Sequence, residues 1–258
     1  MENTEIRVYE FNHLKHEPGV AHAIFTRFGG TSTGAFESLN IGMNSGDDKT
    51  VIARNRKLIT LKMGMKPFVF LNQVHGDSVK VLKHDDNDMD QTFEPGIETY
   101  TADAIISDIK NVFLVIQVAD CQAVMLYDPE KKVVANVHSG WRGSIANITG
   151  KTIDKMVEIF GCLPDNMLAG ISPSLGPCCA EFRDYKTLIP EHLWKYKQTD
   201  RDYFDFWKMT EDQLMEKGLK KDNIENMRIC TVCNNDVFFS YRKEKNTGRF
   251  ACVISLAE

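Results

Sequence analysis

The sequence has no apolar run that could cross a membrane. Its most apolar stretch, residues 112–118, is broken by Gln117 and followed by Asp120, far short of the roughly 20 residues a spanning helix needs. The opening residues, Met1-Glu2-Asn3-Thr4-Glu5-Ile6-Arg7, show neither the basic start nor the apolar core of a secretory signal. Basic charge is not in excess. Lys and Arg number 31 against 36 Asp and Glu, a net charge of −5, which argues against a broad cationic face for nucleic acid. Neither the Walker pattern nor G-x-G-x-x-G occurs, so a nucleoside-triphosphate or dinucleotide fold is not supported. No internal repeat, low-complexity tract or Pro/Gly/Ser-rich linker divides the chain. The expectation is a cytoplasmic globular protein, one domain over residues 1–258, with no membrane and no nucleic acid among its partners.

What is present is ordinary core material and an unusual set of potential ligands. Hydrophobic residues make up 43% and charged residues 26% of the chain, enough to bury a sizeable core. β-Branched or aromatic runs bounded by turn residues predict strands over 21–27, 68–71, 78–82, 104–107, 112–118, 123–127, 133–138, 167–171 and 249–255. A helix is predicted over 144–160, where Ile145, Ile148, Met156, Val157 and Phe160 fall near one face and Gly161 ends the run. Two more are predicted over 51–63 and 208–217. Strands and helices do not alternate regularly, so an α+β domain is expected rather than a doubly wound parallel sheet. The polar stretch 83–90 reads as a solvated loop, with a cation site as its alternative.

Seven Cys and seven His are the unusual inventory. In a reducing compartment the thiols serve as ligands, nucleophiles or core filler, and an odd count does not fit a complete disulfide framework. The segment from Val118 to His138 reads as two strands joined by the turn Asp128-Pro129-Glu130-Lys131. If Tyr127 faces Lys132, all opposed pairs share one index sum, and Cys121 faces His138. Opposed side chains share a face with Cβ atoms about 4.5–5.5 Å apart, a span that zinc can bridge. One residue of slippage would separate them. His75, after the apolar run 68–71 and beside Gly76, is the candidate third ligand. Two His and one Cys leave one tetrahedral position open for water or substrate. Taken singly, Cys121 also fits a core position and each His a hydrogen-bonded or surface one.

Directly after His138 comes Ser139-Gly140-Trp141-Arg142-Gly143. Backbone N–H groups at a helix start, with Arg142 beside them, would favour phosphate; a plain strand-to-helix turn is the alternative. Cys178-Cys179 and Cys230-x-x-Cys233 could together hold a second zinc. Adjacent cysteines depart from the usual spacing of about 2–4 residues, so buried thiols near the active-site wall are expected instead.

A longer set of motifs points to a family. Thr26-Arg27-Phe28-Gly29-Gly30, Ser38-Leu39-Asn40-Ile41-Gly42, Asn72-Gln73-Val74-His75-Gly76, Ala102-Asp103-Ala104, Ala119-Asp120-Cys121, His138-Ser139-Gly140-Trp141-Arg142-Gly143, Ser172-Pro173-Ser174-Leu175-Gly176-Pro177-Cys178-Cys179, Cys230-Thr231-Val232-Cys233 and Phe239-Ser240-Tyr241-Arg242 occur in this order. Together they resemble the laccase-domain family, also labelled multicopper polyphenol oxidase-like proteins. Its members are assigned as zinc-containing purine nucleoside phosphorylases with adenosine deaminase and methylthioadenosine phosphorylase activity. The resemblance spans about residues 21–253. It implies a single α+β domain with mixed β-sheets flanked by helices, related to cysteine-dependent toxin deamidases. It also places the metal on His75, Cys121 and His138. Residues 183–200 match no motif.

On that reading inorganic phosphate attacks C1′ of a purine nucleoside and the base leaves, giving ribose-1-phosphate. Arg27, Arg142 and Arg242 are the cationic candidates for phosphate. Asn40 is a candidate for a ribose hydroxyl, or a turn cap. In adenosine deamination zinc would lower the pKa of bound water, and Asp120 would be the acid/base group or, alternatively, would hold a His ring. The expected partners are purine nucleosides and phosphate, with the chain a monomer or small homo-oligomer. The older label suggests a copper polyphenol oxidase. The seven His include no His-x-His pair, which disfavours a multicopper cluster; a single copper at the three ligands is the alternative to zinc. Further alternatives are a cysteine hydrolase, with Cys121 as nucleophile and His138 as base, and a binding module in which zinc only staples the hairpin.

Overall fold

The computed structural model describes residues 5–83 and 98–257. Of the polar stretch 83–90, all but Lys83 lies outside the described residues. Twelve strands are described: β1 (Val8–Tyr9), β2 (Val20–Phe25), β3 (Phe68–Asn72), β4 (Val79–Leu82), β5 (Glu98–Thr101), β6 (Ala104–Ser107), β7 (Phe113–Val118), β8 (Gln122–Asp128), β9 (Val133–Ser139), β10 (Leu168–Ile171), β11 (Ile224–Asn226) and β12 (Phe250–Leu256). The α-helices are α1 (Asn12–Lys15), α2 (Lys49–Lys62), α3 (Trp141–Ile145), α4 (Ile148–Phe160), α5 (Tyr185–Leu188), α6 (Phe206–Glu216) and α7 (Tyr241–Glu244). The strands form two mixed six-stranded sheets, ordered β1-β2-β12-β7-β3-β5 and β11-β10-β8-β9-β6-β4.

The layering follows from strand alternation. Leu114, Ile116 and Val118 of β7 pack with Cys252 and Ile254 of β12 against Ala123, Met125, Tyr127 and Val134 of the other sheet. The intervening residues face outward. Phe113, Val115, Ala251 and Val253 pack with Phe68, Phe70 and Ile59 of α2. On the other side Val124, Leu126, Ala135 and Val137 pack with Ile153 and Met156 of α4 and Leu214 of α6. The molecule is thus two sheets face to face, each with a helix on its outer surface, and the α+β expectation holds. Asn136 of β9 crosses the inner layer, donating Nδ2 to the carbonyls of Leu114 and Cys252, each at 2.9 Å. That bond pair ties the sheets together where the surroundings are apolar, which makes its loss costly. No described helix is long and apolar enough to cross a membrane.

Nine predicted strands are present with ends shifted by a residue or two. The helix predicted over 144–160 is two helices. Asn147 adopts the left-handed conformation (φ 54°), and its side chain accepts from the Gly150 N–H as the cap of α4. Helical spacing continues through the break, so periodicity alone does not reveal it. Gly161 does end α4, at φ 65°.

The hairpin register also differs. Asp128 faces Val133 and Ala123 faces His138, so the loop holds four residues, 129–132, and Cys121 falls two positions from the expected pairing. Asp128 Oδ1 accepts from the N–H groups of Glu130 and Lys131, both at 2.9 Å, and Lys132 is left-handed at φ 54°. These Asx contacts and the left-handed residue favour a four-residue loop placed one residue later than expected. A two-residue shift preserves parity, so Cys121 and His138 still share the inner face.

One buried titratable group makes the fold sensitive to acid. His22 on β2 is 4% exposed and its Nε2 accepts the Phe11 N–H at 2.7 Å. Burial holds its pKa down to about 4, against a small opposing pull from Glu10. Folded His22 resists protonation while the unfolded chain takes it up near pH 6.5. This contribution is therefore full above pH 6.5 and is lost as pH falls towards about 4. By linkage, the wild type should lose about 2 kcal/mol more stability between pH 7.5 and 5.0 than His22→Gln, which keeps an acceptor without titrating. Urea unfolding of both proteins at the two pH values measures this; equal losses would show that His22 does not drive the acid limb.

Candidate metal centre and cavity

Inward parity delivers the first ligand. Val134, Asn136 and His138 alternate along β9 towards the inter-sheet gap, and His138 sits at the end of that gap, 2% exposed. Cys121 immediately precedes β8, after Asp120, whose backbone is turned into the positive-φ region at 86°. His75 lies in the loop after β3 and is itself left-handed at φ 58°. Both turns aim short segments back at the sheet end. The donor atoms of His75, Cys121 and His138 all lie within 4.8 Å of one another, with the two imidazoles edge to face at 82°. The structure therefore brings together the three residues expected as ligands.

The organising group is Asp103, which had only a place in a motif. It precedes β6 and is fully buried. Its Oδ1 receives the His75 N–H at 2.9 Å and Nδ1 of His138 at 2.8 Å, and its Oδ2 receives the Gly76 N–H at 2.7 Å. Its own carbonyl accepts the His138 N–H at 2.7 Å. Burial alone would push the Asp103 carboxyl up; the His138 ring and the Gly76 and His75 N–H groups outweigh burial and hold it below the usual carboxylate range. Holding Nδ1 of His138 leaves Nε2 for a metal. The sequence signal was an acid flanked by Ala102 and Ala104 in an apolar strand, which cannot be buried without partners.

The electrostatics favour an anionic sulfur. Burial pushes the Cys121 thiol up, but attraction and hydrogen bonding from His138, with a smaller share from His75, bring it down to about 6. Burial pushes His138 down, and Cys121 and Asp103 together raise it to about 9. Gly140 continues the hairpin opposite Cys121. A Cβ there would stand 3.0 Å from the Cys121 Sγ and 3.2 Å from Cδ2 of His75, so a side chain would press on both groups unless they shift by a few tenths of an ångström.

This cluster opens into a cavity of about 700 Å³. Apolar and aromatic walls come from Leu71, Leu175, Trp141, Phe182, Phe206 and Tyr241; Arg142, Arg242, Lys245 and Arg249 supply positive charge. The unmatched segment 183–200 folds with Phe182, Phe204 and Phe206 into a separate aromatic cluster, against which Trp141 packs. It supports the aromatic wall.

The other expected site residues divide. Arg142 lines the cavity with its guanidinium 4.3 Å over the Trp141 ring. The helix it starts, α3, has five residues and no side-chain cap. Arg242 also lines the cavity, with Nη1 donating to the Glu181 carbonyl at 2.8 Å. Arg27 is outside the lining. It donates to the carbonyls of Glu37 and Asn235, pairs with Glu244 at 3.0 Å and stacks on Phe239, so it ties loops together. Asn40 is fully buried and outside the lining as well. Its Nδ2 donates to Ser45 and Asp47, and its Oδ1 accepts from the N–H groups of Gly42 and Arg249. All four of its hydrogen-bonding positions are used, leaving none for a ribose hydroxyl. Asp120 lines the cavity, but its carboxylate accepts from Thr231, Ser240 and the Arg242 N–H. The His-holding role considered for it belongs to Asp103. Arg249, unnoticed in the sequence, lines the cavity, with Nη1 bonded to the carbonyls of Thr247 and Gly248. Burial lowers its pKa while Cys121 and Asp120 oppose that; a guanidinium stays charged under such a shift.

Comparison with known proteins places the fold in a family. A purine nucleoside phosphorylase, YlmD, of Geobacillus stearothermophilus is 31% identical over 255 residues, covering 93% of this chain and 91% of that protein. Purine nucleoside phosphorylase YfiH of Escherichia coli is 31% identical over 246 residues, covering 92% and 94%. The crystal structure of the Geobacillus stearothermophilus YlmD superposes with a TM-score of 0.83 at 26% identity, covering 94% of this chain and 93% of that one. A Neisseria meningitidis protein, NMB0706, superposes with a TM-score of 0.81 at 28% identity, covering 98% and 99%. Residues 21–257 match the family described as multi-copper polyphenol oxidoreductase laccase, and the chain belongs to that family.

Proposed function

We infer that this chain is a zinc-dependent purine nucleoside phosphorylase. The observation that carries the reading is the three-ligand cluster at the wall of a cavity that is both aromatic and cationic. A volume of about 700 Å³ suits a nucleoside and phosphate together. The donor set fits zinc: two imidazoles and a thiol favoured as thiolate, close enough for bonds of about 2.0–2.3 Å to one ion, with a fourth position open to the cavity. When bound, zinc would supply Lewis acidity at that open position.

The protein's own residues carry the rest. Trp141, Phe182, Phe206 and Tyr241 offer flat apolar faces to a purine. Arg142, Arg242 and Arg249 hold positive charge where phosphate must be aligned for attack on C1′. Asp120, bonded on both oxygens, fixes the loop that presents Cys121. We extend the reading to methylthioadenosine as an alternative nucleoside and to adenosine deamination in the same cavity. A multicopper oxidase is less well supported. Of the two groups of potential metal ligands among the described residues, one contains imidazoles, and it has two. The thiolate–imidazolium balance of Cys121 and His138 favours a second reading, a cysteine hydrolase. Stoichiometric trapping of Cys121 by an electrophilic analogue in metal-free protein would support that reading.

Three outcomes follow. Phosphate-dependent release of hypoxanthine from inosine should be lost in Cys121→Ala together with one bound metal, and in chelated wild type it should return with zinc. Return with copper alone, without base release, would sink the phosphorylase reading. Asp103→Asn should lower metal affinity about 10–100-fold, because an amide cannot accept from three N–H donors as a carboxylate does; competition against a zinc chelator measures it, and unchanged affinity would contradict the organising role. Gly140→Ala should reduce metal content while near-UV circular dichroism stays native; full occupancy would show that the ligands have more room than the contacts indicate.

A further inference from the structure

The second cysteine group lies outside the nucleoside cavity. Cys178 and Cys179 follow β10, and Cys230 and Cys233 follow β11. Their four sulfurs all lie within 4.8 Å of one another. Cys233 Sγ stands 3.7 Å from that of Cys178 and 3.6 Å from that of Cys179. Four thiolates held at about 2.3 Å around a tetrahedral ion are spaced about 3.8 Å apart, so both measured separations are near tetrahedron edges. They are far from the about 2.05 Å of a disulfide.

Backbone contacts fix this spacing. The two segments meet at a parallel bridge between Ser174 and Cys230, closed by Ser174 N–H to Ile229 at 3.1 Å and Thr231 N–H to Ser174 at 3.0 Å. Gly176 donates its N–H to the Cys230 sulfur at 3.4 Å. A Cβ on Gly176 would come within 3.0 Å of the Cys230 Cβ, so the segments approach as closely as they can. The objection from adjacent cysteines dissolves in the local geometry. Residues 177–179 form a turn, with Cys179 and Ala180 both donating to the Gly176 carbonyl. Successive side chains on such a turn diverge by about 100°, not the 180° of a strand, so neighbours can reach one ion. The expectation of buried thiols is corrected too: only Cys230 is buried, while Cys178 and Cys233 are exposed. Packing does not account for polarizable sulfurs gathered at the surface.

We propose that Cys178, Cys179, Cys230 and Cys233 form a second metal site, a closed tetrathiolate zinc centre that clamps the loop after β10 to the loop after β11. With four protein ligands it has no open position and a structural role. The clamped segments carry Leu175, on the cavity wall, and Thr231, which donates to Asp120 at 2.7 Å.

Metal analysis of native protein purified under reducing conditions tests this. Wild type should hold two zinc ions per chain, Cys178→Ser/Cys233→Ser one and Cys121→Ala one. If the nucleoside-site metal is absent, the same three proteins should read one, none and one, so the two proposals fail separately. Equal zinc in wild type and the double variant would overturn the site. So would stoichiometric iron in place of zinc, or a mass deficit showing a disulfide among these cysteines. Should the double variant not fold, cobalt-substituted Cys121→Ala must show intense sulfur-to-metal charge-transfer bands of a tetrahedral tetrathiolate; their absence would equally overturn it.

Discussion

The cluster of His75, Cys121 and His138 depends on one buried carboxylate and the hydrogen bonds that satisfy it. Asp103 is removed from water, and a charge there is tolerable only if donors surround it. The donors are the N–H groups of His75 and Gly76 and the ring of His138. Satisfying the carboxylate therefore fixes the backbone at His75 and the ring orientation of His138. His138 in turn holds Cys121 as a thiolate. The chain of causes runs from a buried acid just before an apolar strand to a sulfur favoured as an anion. Its strength lies in redundancy, since the same groups meet both the folding demand and the ligand demand.

The two sheets supply the frame in which this can happen. Alternation along β7, β8, β9 and β12 fills the gap between them, and the cluster occupies the end of that gap, where strand turns into loop. Phe182 and Phe206, backed by the aromatic segment 183–200, line one side, and α7 with the segment after it, carrying Arg242, Lys245 and Arg249, lines another. Positive charge in the cavity thus comes from short helices and the segment after them, Arg142 on α3, Arg242 on α7, and Lys245 and Arg249 beyond α7, and the expected metal ligands lie in or next to strands.

Much of this was legible in the chain itself. Nine strands were visible because β-branched runs ended in turn residues. Cys121, His138 and His75 were visible because strand parity and a following loop placed them together. The hairpin register differs by two because Asp128 and Lys132 favour the four-residue loop one position later, at 129–132, an effect of local side-chain bonding that residue spacing does not carry. The inference survived because parity, not register, decides the face. Asn40 and Arg27, expected as ligand contacts, lie outside the cavity lining. Their polar groups are consumed by loops distant in sequence, Arg249 and Glu244 among them, and no local pattern announces that. Asp103 and Arg249 were missed for the same reason, since their roles exist only once separate segments meet. The four-thiol group was discounted on spacing alone, and a turn at residues 177–179 changed the geometry.

The position of β12 has a consequence for how the molecule is made. It lies between β2 and β7 in the middle of its sheet, although it is the last described strand in chain order. During synthesis β2 and β7 emerge early and must wait without the strand that joins them. Ser240 and Arg242, which hold the Asp120 loop, also arrive late. Closure of this sheet and fixing of the Asp120 loop therefore wait for segments that follow most of the other strands in chain order.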